Sequence, residues 1–174
     1  MVGPRPTRQD PGQAYRDLMS SFPSGVAVVT ALDEAGCPQG MTCTSLASVT
    51  VKPPTLLVSL RHGSATLKAV AAGGAFAVNL LHDTAQEVAR LLAAPVPSRF
   101  NRIRWLPSAN GAPWLIDDAL GVADCLVTEV IDVGDHQVVF GQVTRAFLLG
   151  GSPLLYGLRQ YGAWAVNGRG IARK

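Results

Sequence analysis

The chain has 174 residues, 48% hydrophobic and 16% charged, which is enough for one domain with a substantial core and too little to require two. The formal net charge is only +3, and the basic residues gather mainly at the ends, Arg5 and Arg8 at one and Arg169, Arg173 and Lys174 at the other, so nucleic acid is not an expected partner. Cys37, Cys43 and Cys125 form no CxxC pair, and an odd count fits a reducing, cytoplasmic setting better than a disulfide framework.

In chain order, residues 1–10 read as a disordered tail without an apolar core. No apolar run approaches the roughly 20 residues that span a bilayer, so neither an export signal nor a membrane anchor is expected. Asp10-Pro11 supplies an N-cap and a first-turn proline. Ala14, Tyr15, Leu18, Met19 and Phe22 then recur at helical spacing, giving a helix with one apolar face that Pro23-Ser24-Gly25 ends. Val26 to Leu32 and Pro38 to Thr44 flank turn chemistry at Asp33 to Gly36, as in a hairpin. Thr55 to Leu60 is a strand after Pro53-Pro54, and Ser64 caps a helix that stops at Gly73-Gly74. Ala75 to Leu80 is the next strand, and Asp83 with Gln86 resembles a capping box for a helix burying Val88, Leu91 and Leu92.

Pro95 to Pro113 reads as an irregular loop expected to line a cleft. Two long β segments follow, Ala119 to Ile131 and His136 to Leu149, then a pair at Leu154 to Leu158 and Tyr161 to Val166, together an antiparallel meander. Strands outnumber helices and do not alternate regularly with them, so the fold expected is mainly β, a barrel with a few peripheral helices. The domain is expected to cover residues 11–168, followed by a basic tail at 169–174.

No HExxH, GxSxG, GxxxxGK[ST] or strand-following GxGxxG occurs, and His62, His82 and His136 lack a second ligand at metal spacing. The unusual stretch is Gly40 to Thr50, GMTCTSLASVT, where a strand gives way to small hydroxylated residues. Backbone N–H groups at a strand end can form an anion nest, and Ser or Thr hydroxyls add donors for phosphate. Ordinary turn chemistry is the competing reading of the same residues.

Read in order, Phe22 to Thr30, Gly40 to Thr50, Pro53-Pro54, Phe76-Ala77-Val78-Asn79-Leu80-Leu81, Gly134-Asp135-His136 and Pro153-Leu154-Leu155-Tyr156 resemble the short-chain flavin reductases, from about Tyr15 to Tyr161. The resemblance implies an FMN-binding split β-barrel, a homodimer, that reduces FMN or FAD with NADH or NADPH and supplies reduced flavin to a separate monooxygenase. NADH with FMN is the expected pairing. It further implies that Thr42, Cys43 and Thr44 border the flavin ring, with Ser45 and Ser48 near the ribityl chain and phosphate. Ser59, Ser64 and Thr66 would form a second phosphate-side group, although Ser64 is equally well read as a helix cap. Arg99 and Phe100 resemble an R-F pair that approaches the flavin. His136 would lie beside the nicotinamide nucleotide and orient it, and Tyr161 would cover the same pocket.

The chain departs from the commoner pattern by carrying Cys43 where alanine or serine is usual and Leu46 where phenylalanine is frequent. Hydride transfer between two cofactors needs alignment rather than a protein acid or base, so the lack of a catalytic motif is expected. A flavin carrier or sensor without turnover, or an oxidase holding its flavin permanently, would use the same barrel.

Overall fold

The computed structural model describes residues 10–164; the expected tails at 1–9 and 169–174, and the end of the last expected strand at Val166, lie outside the described residues. In chain order the elements are α1 (Pro11–Ser20), β1 (Ser24–Gly25), β2 (Ala27–Leu32), β3 (Pro38–Cys43), β4 (Leu46–Val51), β5 (Pro54–Arg61), α2 (Ala65–Gly73), β6 (Ala75–Leu81), α3 (Gln86–Ala93), a 3-10 turn (Arg99–Arg102), β7 (Leu106–Pro107), β8 (Pro113–Trp114), β9 (Ala119–Val133), β10 (His136–Leu148), β11 (Leu154–Gly157) and β12 (Gln160–Ala163).

Seven strands form one antiparallel sheet in the order β3-β2-β6-β9-β10-β5-β4. β3 and β4 are its two edges, yet only Thr44 and Ser45 separate them in the chain. Edges at opposite ends of a sheet can be so joined only if the sheet curls until they meet, which makes a barrel with a seam between β3 and β5. The seam falls at the hydroxyl-rich corner.

Two cores result from period-two alternation on this curled sheet. The interior is filled by Val29, Val58, Phe76, Val78, Cys125 and Val139, with Leu67, Ala69 and Val70 entering from α2. Gly141 belongs to this packing, because a Cβ there would lie 2.5 Å from Cζ of the fully buried Phe76. The outer face of β2 and β6 is covered by Ala85, Ala89 and Leu92 around α3 and by Phe100, Ile103 and Leu115 from the following loop.

Three buried polar residues on adjacent strands tie that loop down. Thr30 Oγ1 donates to Pro113 O (2.6 Å), Asn79 Oδ1 accepts from Leu115 N (2.8 Å), and Asp124 Oδ1 accepts from Trp114 Nε1 (3.0 Å). The Asn of the Phe76-to-Leu81 motif is therefore a clamp on the loop.

The structure differs from the sequence reading in four places. Leu46–Val51 is a strand, the barrel edge, because pairing with β5 satisfies its backbone whatever its Ser and Thr content. The N-cap of α3 is Ala85 with no side-chain hydrogen bond, since Asp83 N is taken by Ser152 O (2.9 Å) and the chain turns later than a capping box needs. β11 and β12 do not extend the β9–β10 meander: β11 pairs with β1 on one side and β12 on the other, in a separate three-stranded sheet. α1 starts as expected, with Asp10 accepting from Gln13 N (2.9 Å), but it ends at Ser20, before Phe22, and its apolar face buries nothing, with Tyr15 and Leu18 at 63% and 66% exposure.

Candidate functional site

The seam is held by a reciprocal pair: Ser59 N donates to Ser45 O (3.2 Å) and Ser45 Oγ donates to Ser59 O (2.9 Å). Thr42 Oγ1 donates to Ala89 O (2.7 Å) and so fixes α3 against β3. The protons of these two hydroxyls are thus committed to protein carbonyls, leaving acceptor lone pairs. The Thr44 and Ser59 hydroxyls have no side-chain hydrogen bond among the described residues. β3, as an edge strand, also presents ladder groups that β2 does not pair. A concave corner with unpaired backbone groups and free hydroxyls suits a planar heterocycle with a polar edge and an anionic tail, which is the chemistry of a flavin nucleotide.

Beside the seam is a cavity of about 320 Å³. Thr42, Cys43, Thr44, Ser45, Ser59 and His136 line it from the seven-stranded sheet and the corner after β3, and Tyr156 and Tyr161 line it from β11 and β12. His136 arrives because β10 begins opposite Arg61 at the end of β5, two residues beyond Ser59. Its Nδ1 lies 2.8 Å from Asp135 Oδ1, so with Nδ1–H donating to that carboxylate, Nε2 is the nitrogen left for a ligand. The hydrogen bond from His136 and its charge hold the Asp135 carboxyl below its usual value.

Tyr156 and Tyr161 meet edge to face with centroids 5.2 Å apart. Burial, then the neighbouring Tyr156, push the Tyr161 phenol up, so it is neutral at physiological pH. Cys43 is buried, and desolvation pushes its thiol up to about 12. It therefore stays protonated and acts as a small apolar wall rather than a nucleophile.

The other sequence-named residues lie elsewhere. Ser48 lines an apolar groove of about 620 Å³ on the sheet surface, with Leu56, Leu80 and Phe147. Ser64 Oγ accepts from Leu67 N (3.2 Å) as the cap of α2, and Thr66 is buried in that helix. Arg99 Nη1 donates to Leu92 O (2.8 Å) and Ala94 O (3.0 Å), which satisfies carbonyls at the end of α3. Phe100 is 8% exposed and packs beneath β3, where a Cβ on Gly40 would stand 2.8 Å from its ring. Sequence reasoning left out Val26, Met41, Ala93 and Tyr156, all of which line the cavity. Tyr156 carried a signal in its motif; Ala93 carried none, because only the docking of α3 brings it to the rim.

An antiparallel split barrel with a hydroxyl-bearing seam and an aromatic wall defines the class as a nucleotide-binding barrel. The chain belongs to the flavin reductase like domain family, which it matches over residues 19–165. It is 50% identical over 155 residues to a flavin reductase (NADPH) of Lentzea aerocolonigenes, covering 88% of this chain and 91% of that one. It is 40% identical over 163 residues to a flavin reductase (NADH) of Kitasatospora aureofaciens, covering 90% and 83%. The crystal structure of nitrilotriacetate monooxygenase component B from Mycobacterium thermoresistibile superposes with a TM-score of 0.85 at 33% identity, covering 94% of this chain and 92% of that one.

Proposed function

We propose that this protein is an NAD(P)H-dependent flavin reductase that reduces FMN or FAD and passes the reduced flavin to a separate flavin-dependent monooxygenase. The observation that carries the reading is the seam itself: barrel closure brings Thr42 to Ser45, Ser59 and His136 around one cavity in a chain half identical to a named flavin reductase. Both reactive centres of a hydride transfer belong to the bound nucleotides, so the chain's part is alignment and exclusion of water. Thr44, Ser59 and the free edge of β3 hold the flavin, Cys43 gives its ring a neutral wall, and His136 with Tyr161 orients the nicotinamide nucleotide. Residues 11–168 act as one domain. The three free cysteines, Cys37 exposed and Cys43 and Cys125 buried, fit a cytoplasmic setting, and no described helix is long and apolar enough to cross a membrane.

Mixing the protein anaerobically with excess FMN or FAD and NADH or NADPH should bleach the flavin absorbance. A protein that binds flavin yet is inert with both nucleotides is a carrier or sensor. Flavin that survives gel filtration and turns over with oxygen and another substrate makes it an oxidase.

The active form is a homodimer. The groove holding Leu80 and Phe147 and the bare apolar face of α1 both leave large apolar side chains in water, as surfaces that a second subunit covers do. Light scattering should give twice the chain mass at micromolar concentration; a monomer at all concentrations tested rejects the assembly but leaves the reductase reading standing.

A further inference from the structure

The cavity wall presents hydroxyls, aromatic rings and one histidine, but among the described residues no lysine or arginine. A nucleotide bound there would bring phosphate charge to a wall with no fixed cation, and anions held without one lose the strongest class of hydrogen bond available to them. One candidate lies one helical turn from the lining residue Ala93. Arg90, three residues earlier on α3, shares its face, and its guanidinium carbon stands 5.2 Å from the Tyr161 ring centroid.

Arg90 forms no ion pair among the described residues. Glu87, on the same helical face, does not engage it, and the bond it makes is to Gln86 Oε1 (3.4 Å), which is long and neutral. Arg61, the ladder partner of His136, is differently placed, because Asp135 lies within its field. Arg90 is therefore held over the mouth by an aromatic ring, with its charge uncompensated and its fork of donors largely free.

We propose that Arg90 is a specificity-determining phosphate anchor at the rim of this site, gripping a phosphate of one of the two nucleotides that the reductase reading places there; the inference rests on that reading. The shared chemistry is a phosphate oxyanion, either on the flavin tail or on the nicotinamide dinucleotide. Stacking on Tyr161 preorganises the guanidinium, so binding the anion need not freeze a long side chain from solution.

Steady-state kinetics of the full chain, of Arg90→Gln and of Arg90→Lys, with FMN, riboflavin, NADH and NADPH varied in turn, test this. Arg90→Gln should raise KM about tenfold for at least one phosphorylated substrate, with kcat within about twofold, the scale of one lost charge-assisted contact. Arg90→Lys should recover most of it. KM for riboflavin, which has no phosphate, should not move. A rise for FMN alone assigns the flavin phosphate, an equal rise for both dinucleotides the pyrophosphate, and a larger rise for NADPH the 2′-phosphate. If no phosphorylated substrate shifts by more than twofold, or KM for riboflavin itself rises by more than twofold, Arg90 only staples α3 to β12 and the proposal is overturned. Failure of the unmodified chain to turn over at all would instead remove the reductase reading.

Discussion

Asn79→Asp should destabilise the fold by about 4 kcal/mol although it changes no side-chain shape. Asn79 is fully buried, and its Nδ2 points at three oxygens, Val28 O (3.3 Å), Thr30 Oγ1 (3.2 Å) and Pro113 O (3.3 Å). A carboxylate there would replace two donor hydrogens with a charge facing those lone pairs, and no cation is paired with it. Only the contact from Leu115 N would survive. Since the residue sits between β2 and the loop leading to Leu115, the loss should release the loop before the barrel melts. Urea unfolding followed by tryptophan fluorescence reads this through Trp105 and Trp114. A midpoint within the error of the unmodified chain, or a loss below about 1 kcal/mol, would show that the clamp contributes little.

The second large effect is on activity alone. Ala93 is exposed and lies at the end of α3 on the rim of the cavity, so Ala93→Trp adds an indole to the mouth without disturbing either core. It should lower kcat/KM for flavin about 100-fold, roughly 2.7 kcal/mol of transition-state stabilisation, with an unchanged thermal midpoint. On the proposed role of His136, in which Nε2 orients the donor and transfers no proton, His136→Ala should act differently, raising KM for the nicotinamide nucleotide while sparing flavin affinity. Full activity in the Ala93→Trp protein, with the substitution confirmed by its mass, would move the site away from the seam.

Parts of this site were legible in the residues and parts were not, for a physical reason in each case. The string Thr42 to Ser45 announced a strand end rich in donors, and β3 does end at Cys43. The same string could not reveal that Thr42 and Ser45 already donate to Ala89 and Ser59, because those partners come from distant strands and helices. Arg99 and Phe100 read as site residues only through their resemblance to the family's R-F pair, and no run of residues could show that Arg99 also terminates α3 and that Phe100 fills the space under Gly40. Ser48 sits in the same hydroxyl run, but on a strand whose alternation turns it to the outer groove. The amphipathic pattern of α1 predicted a helix correctly and said nothing of what covers it.

Features that depend on neighbours in the chain could be read from the residues alone: the Asp10 and Ser64 caps, the strand runs, the Gly134 turn and the ordered motifs that place the chain in its family. Periodicity and capping are local, so they survive without knowledge of the fold. The folded chain alone closes a seven-stranded sheet on itself, and with it brings residues as distant as Thr42, Ser59, His136 and Tyr161 around one cavity. That meeting depends on strand order and register, which are set by burial over the whole barrel and not by any local run of residues.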